Sequence, residues 1–254
     1  MAPELRVASE FGRMSPPKLL LDTRDGIMTV SLNRPNKLNA IDNDLSRALL
    51  GAIELAANDQ AVRALLLRGN GRAFCAGRDL AHPPTEDDLL LVQAVAKALV
   101  TLPKPVLAAV HGWTVGAGLE WMLNADLVVA AESSRFKFPE ASIGVFVTGG
   151  LTATLPAYAG LARAKALLLL GEEFSPSQAH TWGLVYRVLP DGELEPESRR
   201  IAGKLASLQP QVASRFKRVL NEVGLSGFGR AVELENEAQR ALAASSAQER
   251  AGDA

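Results

Sequence analysis

The chain has 254 residues, enough for one large α/β domain or two small ones. Its composition, 48% apolar and 22% charged, is that of a folded globular protein, and a net charge of −1 lacks the basic excess of a nucleic-acid-binding surface. One cysteine, Cys75, excludes an internal disulfide framework or multi-cysteine zinc site and suits a reducing, cytoplasmic compartment, and no run reaches the ~18 apolar residues of a membrane span.

Residues 1–17 carry Glu4, Arg6, Glu10 and Arg13 without an apolar stretch, and read as a flexible lead-in, neither signal peptide nor anchor. Met28, Val30 and Leu32 alternate with Thr29 and Ser31, the period of a half-buried strand, and Asn33-Arg34-Pro35-Asn36 ends it. With Asp42 or Asn43 as cap, Leu45, Ala48, Leu49, Ala52, Ile53 and Ala56 repeat at helical spacing as far as Asn58. Val62 to Leu67 is a buried strand before Gly69-Asn70-Gly71, so strand, helix and strand follow one another as a crossover unit. A helix over Glu86 to Leu102 places Leu89, Val92, Ala96 and Leu99 on one face, and Pro103 and Pro105 close it.

Strands are expected at Val106 to Val110, Asp126 to Ala131 and Phe136 to Phe138. Ala162 to Leu170 reads as a helix stopped by Gly171, and Ser175-Pro176 opens another that Gly183 closes. Three helical stretches, near 195–207, 210–223 and 229–248, complete the chain, with fraying expected from Ala243. The expected division is therefore a lead-in over 1–17, an α/β core over 18–194 and a helical region over 195–254.

Several familiar chemistries lack their markers. Gly116-Ala117-Gly118 opens like a dinucleotide loop, but Trp121 stands where the third glycine belongs. Gly224-Leu225-Ser226-Gly227-Phe228 misses a nucleophile elbow at Phe228. His82, His111 and His180 show no metal-ligand spacing, and Cys75 between Phe74 and Ala76 reads as a packed hydrophobe.

Two glycine turns follow buried strands, Phe74-Cys75-Ala76-Gly77-Arg78-Asp79 and Val115-Gly116-Ala117-Gly118-Leu119-Glu120. Glycine lets backbone approach a ligand closely, and a pair of amides aimed at developing negative charge is what an oxyanion hole requires. Glu120 is the only acid between Val115 and Leu123, so its carboxyl should be desolvated and raised in pKa, as acid–base work demands. Glu140 follows Phe138-Pro139 and precedes Gly144 and Gly149-Gly150, at the end of a strand beside a flexible loop. Alone, either acid reads equally as a helix-start or loop residue.

In order, Asn33-Arg34-Pro35 with Leu38-Asn39-Ala40, Ala73 to Leu80, Lys104-Pro105-Val106, His111-Gly112, Gly118-Leu119-Glu120, Phe138-Pro139-Glu140, Gly149-Gly150 and Gly183-Leu184-Val185 resemble the crotonase, or enoyl-CoA hydratase/isomerase, superfamily. The resemblance implies an α/β spiral of repeated ββα units with a C-terminal helical trimerisation region, assembled as a homotrimer or a dimer of trimers. It implies an acyl-CoA thioester substrate, no separate cofactor and no metal. The thioester oxygen would sit between the backbone amides of Arg78 and Ala117, coenzyme A would run along Lys37, Leu38, Ala76, Asp79 and Leu80, and Glu120 and Glu140 would serve a hydratase as acid and base. The loop after Glu140 lacks the proline common in hydratases and is one residue shorter, Arg78 replaces a small residue, and Trp121 is unusual and reads as core. The alternatives are an enoyl-CoA isomerase working through Glu140 alone and a non-catalytic acyl-CoA-binding protein.

Overall fold

A computed structural model describes residues 16–81 and 85–252, with side chains as far as residue 245. Most of the expected lead-in and His82 lie outside the described residues. Six strands form the main sheet in the order β1 (Leu19–Arg24), β2 (Ile27–Leu32), β3 (Ala64–Gly69), β5 (Val106–Val110), β7 (Leu127–Ala131) and β9 (Arg187–Leu189). Only β1 and β2 pair antiparallel; every other neighbour is parallel. A smaller parallel sheet takes β4 (Ala73–Cys75), β6 (Trp113–Val115) and β8 (Arg135–Lys137).

Each repeat thus gives one strand to each sheet. β3 and β4 precede α2 (Glu86–Thr101), β5 and β6 precede α3 (Ala117–Leu123), and β7 and β8 lead through a 3-10 turn over Glu140–Ile143 to α4 (Leu151–Ala159). The central strands are apolar at successive positions because both faces are covered, as parallel sheets require. Leu65, Leu67, Val106, Ala108, Val110, Val128 and Ala130 face the main core, whereas Leu66, Leu107, Ala109 and Val129 pack against Ile201 and Ala202 of α7 (Leu194–Ala206).

Helix starts follow local chemistry. Asp42 accepts the Leu45 amide at 2.9 Å and caps α1 (Asn43–Asn58), whose expected stripe is buried except for Ala48. Thr85 and Asp88 close a reciprocal capping box on α2. The helices α5 (Leu161–Leu170) and α6 (Pro176–Thr181) lie where expected, as do α7, α8 (Pro210–Gly224) and α9 (Phe228–Gly252).

Several expectations need correction. The third strand begins at Ala64 rather than Val62, because Val62 donates to Asp59 in the preceding turn. The strand expected over Phe136 to Phe138 runs Arg135–Lys137, since Phe138 has already left for the Glu140 turn. Helix α9 continues past Ala243 to Gly252, over residues rich in helix formers. Strands β1, β4, β6 and β9 and helix α4 were not anticipated.

The segment before α1 is fixed by Asn39, which is fully buried with φ +56°. Its side chain accepts the Arg34 amide at 2.8 Å and donates to the Asn70 and Ala73 carbonyls at 2.9 and 2.8 Å. The neighbouring backbone then engages the first glycine turn: Ala76 N–H donates to Leu38, Ile41 to Gly77 and Asp79 to Ile41. Asn39→Ala leaves three backbone groups without this partner, one of them buried and two partly so, and forces alanine into the left-handed region, so we expect a loss of about 3 kcal/mol in urea unfolding at fixed protein concentration. A loss below about 1 kcal/mol would show that these bonds are replaceable.

Candidate active site

The two glycine turns meet at the ends of β4 and β6. A β-carbon on Gly77, whose φ is +84°, would stand 2.8 Å from the Val115 carbonyl oxygen and 3.8 Å from the Ala117 nitrogen. One on Gly118 would stand 2.6 Å from the Cys75 oxygen. Only glycine permits this approach, and both turns, with Arg78 and Ala117, border one cavity. The bridge between Ile41 and Arg78 uses the Gly77 carbonyl and the Asp79 amide, sparing the Arg78 N–H. Ala117 is the first residue of α3, so its amide has no acceptor one turn back. Among the described residues neither amide donates to another protein group.

Glu120 is buried on α3 and accepts three hydrogen bonds: the Thr148 amide at 2.9 Å on Oε1, and the Thr148 hydroxyl at 2.9 Å and Gly149 amide at 2.8 Å on Oε2. Burial raises its pKa, while these donors and the positive charge of Arg78 oppose the rise. Glu140 opens the 3-10 turn after Pro139, and its Oε2 is buried with no protein donor among the described residues. Burial first, then the neighbouring Glu120 charge, push its carboxyl up to about 8. In this pair the donors favour charge on Glu120 and leave the proton on Glu140. Gly116 makes room, because a β-carbon there would lie 2.7 Å from Glu140 Oε1.

Glu120 and Glu140 both line a cavity of about 220 Å³ that the two glycine turns also line. Leu89, Val92, Ile143, Val145 and Phe146 supply apolar wall, and Gln239 and Arg240 of α9 close one side. Of the residues expected to bind coenzyme A, Ala76, Asp79 and Leu80 border this cavity; Lys37 and Leu38 do not, although the Leu38 carbonyl holds the Ala76 amide. The Asp79 carboxylate is engaged by Arg34 at 2.9 Å, which holds its pKa below the usual range. The Arg78 guanidinium turns to Asp88 at 3.0 Å.

Cys75 and Trp121 are core residues, fully buried, and burial pushes the cysteine thiol up to about 12. Among the described residues no three His, Cys, Asp or Glu side chains converge as metal ligands would. Glu235 of α9 went unnoticed in the sequence. It is fully buried and accepts the Gly150 amide, the Thr152 amide and the Thr152 hydroxyl at 2.8, 2.8 and 2.7 Å. Its only linear signal is a place four residues after Ala231, on the inner face of the helix.

A family model described as enoyl-CoA hydratase/isomerase matches residues 22–251. The chain is 35% identical to 1,2-epoxyphenylacetyl-CoA isomerase of Escherichia coli K12, over 92% of this chain and 93% of that one. It is 33% identical to 2,3-dehydroadipyl-CoA hydratase of the same organism, over 81% and 82%. The crystal structure of an enoyl-CoA hydratase from Mycobacterium avium subsp. paratuberculosis K-10 superposes with a TM-score of 0.84 at 30% identity, covering 89% of each chain. These similarities establish the crotonase fold.

The electrostatic pairing of the two acids is open to direct measurement by carboxyl carbon NMR of labelled glutamate. Glu140 should titrate near pH 8 in the wild type. In Glu120→Gln its midpoint should fall, because the charge that raises it is gone. An unchanged midpoint would show that the two groups do not interact.

Proposed function

The chain belongs to the enoyl-CoA hydratase/isomerase family, and from that premise we propose that it adds water, syn, across the double bond of a trans-2-enoyl-CoA thioester. The observation carrying this reading is the presence in one cavity of two unlike acids, Glu120 held by three donors and Glu140 with a donor-free, buried oxygen. Relatives named as hydratases, such as the crotonyl-CoA hydratase of Syntrophomonas wolfei at 31% identity, support it.

The thioester oxygen accepts the amides of Arg78 and Ala117, which stabilise the enolate-like charge as it develops, each donor contributing ~3 kcal/mol in a water-poor site. The Glu120 carboxylate takes a proton from water as the water oxygen bonds to the β-carbon. Electrons of the double bond move to the thioester oxygen, and Glu140 then gives its proton to the α-carbon as they return. The product is a 3-hydroxyacyl-CoA, and proton transfer from Glu120 to Glu140 restores the starting state. Coenzyme A, lying along Lys37-Leu38 and the Ala76 to Leu80 backbone, belongs to the substrate, and the chemistry needs no separate cofactor. A cytoplasmic location fits the single free, buried thiol.

One observation favours a different reaction. All three donors that hold Glu120 come from Thr148 and Gly149, which is also what a loop anchor would do. Glu140 would then act alone, moving a proton between carbons as an isomerase. The pH dependence separates the two. Hydration needs Glu140 protonated, so kcat/KM for a 2-enoyl-CoA should fall tenfold per unit as pH rises above about 8. Isomerisation of a 3-enoyl-CoA by a Glu140 base needs it ionised, so that rate should rise through the same range.

Mass spectrometry of the products gives the identity of the reaction. Gain of one water from a 2-enoyl-CoA, reduced about 10²- to 10⁴-fold in both Glu120→Gln and Glu140→Gln, is the expected result. Movement of the double bond that survives Glu120→Gln would make the protein an isomerase. Tight binding without turnover would make it an acyl-CoA-binding protein.

We also propose assembly as a homotrimer or a dimer of trimers. Helix α8 presents Val212, Phe216, Val219, Leu220 and Val223 to solvent, Phe216 66% and Val223 77% exposed, an apolar face too continuous for a monomer surface. Light scattering should give three- or sixfold the chain mass, falling towards the single chain in Phe216→Asp. A wild-type mass of one chain would overturn the assembly.

A further inference from the structure

We propose that Glu235 is a positioning residue for Glu120, acting through the backbone segment from Phe146 to Thr152. The proposal rests on the reading of Glu120 as the proton acceptor of hydration. Six donors from Thr148 to Thr152 go to the two buried carboxylates, three to each. The Thr148 amide, Thr148 hydroxyl and Gly149 amide go to Glu120. The Gly150 amide, Thr152 amide and Thr152 hydroxyl go to Glu235. Adjacent residues thus point their N–H groups in different directions, one set to α3 and the other to α9, and the segment has no freedom to favour one without disturbing the other.

Further contacts fix the same strip of backbone to α9. Gly150 has φ +73°, and a β-carbon on it would lie 2.2 Å from the Phe228 ring. Gln239 accepts the Phe146 amide at 2.7 Å. Asn236 meets Gln93, and Arg240 meets Glu86, which ties α9 to α2 on the far side of the cavity. Helix α9 therefore closes the cavity and holds the donors of Glu120 in one arrangement.

An apolar residue would dock α9 at less cost than a carboxylate, because burying charge is expensive even when it is bonded. The Glu235 carboxyl does what an apolar group cannot. It satisfies amides at the start of α4, which have no partner within the helix, and so sets the direction of the chain entering that helix. Glu120 charge and Glu235 charge repel across the segment, and burial together with that repulsion pushes Glu235 up to about 7. Without Glu235, the Thr152 amide and hydroxyl would lose their acceptor and the Gly150 amide would keep only the Thr148 carbonyl, which it also reaches at 2.9 Å, releasing the segment that orients Glu120. Its orientation towards the reacting water would then be lost.

A double-mutant cycle on hydration of crotonyl-CoA tests the coupling, alongside residue-resolved amide exchange by NMR. Glu235→Gln keeps an acceptor for Thr152 but puts a donor against the Gly150 amide. We expect kcat to fall about 10- to 30-fold with KM within about threefold, and no further fall when Glu120→Gln is already present. The Thr148 and Gly149 amides should exchange faster in Glu235→Gln, although neither contacts Glu235. Thr152→Val, which removes only the hydroxyl bond, should show a smaller loss of the same pattern with the fold intact. An equal loss in both backgrounds would overturn the proposal, as would faster exchange confined to Gly150 and α4, because each describes a helix cap and nothing more. Should Glu120→Gln leave hydration unchanged, the reading of Glu120 fails, and the exchange at Thr148 and Gly149 alone decides whether Glu235 holds them.

Discussion

Contact between two turns of backbone, with no side chain between them, is the constraint on which this site is built. The carbonyls of Cys75 and Val115 lie within 2.6 and 2.8 Å of where β-carbons on Gly118 and Gly77 would stand. Any larger residue would force the ends of β4 and β6 apart. Because these strands belong to the small sheet, separation there would pull the second strand of each repeat away from the first, and the shared core would open beneath it. The small sheet is held to the main one by short connections, Gly69 to Ala73 and Val110 to Trp113, in which Gly112 also approaches Arg72 backbone too closely for a side chain. Close packing of backbone on backbone therefore holds the two turns that carry Arg78 and Ala117 against one cavity.

Charge is placed in the site by the same economy. A carboxylate loses most of its hydration on burial, and donors from the protein must replace it. Glu120 and Glu235 obtain theirs from a single segment, Thr148 to Thr152, whereas Glu140 keeps an oxygen without one. The inequality follows from position. Glu120 and Glu235 sit on helices that flank the segment, and Glu140 sits on a turn whose own amides point back to Pro139 and Glu140 carbonyls. Glu140, with no such donors, thus holds a proton more readily than a buried acid of the same type whose charge is met by three.

Periodicity recovered the elements whose burial has one clear direction. The stripe of α1, the face of α2 and the runs at β3, β5 and β7 are written in apolar spacing because each packs on a core that is continuous along it. Strand β1 escaped because it is a solvent-facing edge, mostly exposed, with Leu20 and Leu21 both open to water. Strands β4, β6 and β9 are three residues long, too short for an alternation to show. Helix α4 contains Pro156 and starts from a glycine in the left-handed region, so neither its cap nor its interior carries the usual signal.

The residues that line the candidate site were legible for a different reason: Glu120 stands alone in an apolar stretch, Glu140 follows a strand and precedes glycines, and the two turns need glycine wherever backbone meets backbone. What the sequence by itself determined was therefore the class of chain, its main helices and central strands, and the acids and glycines that border the cavity. What only the tertiary structure decided was which donors each acid receives and that Glu235 joins them. On α9, Leu234 is 46% exposed while its neighbour Glu235 is fully buried, an order that hydrophobicity reverses. The exchange is made worthwhile by Gly150 and Thr152, more than eighty residues earlier in the chain, and no local pattern records a partner that only folding brings within reach.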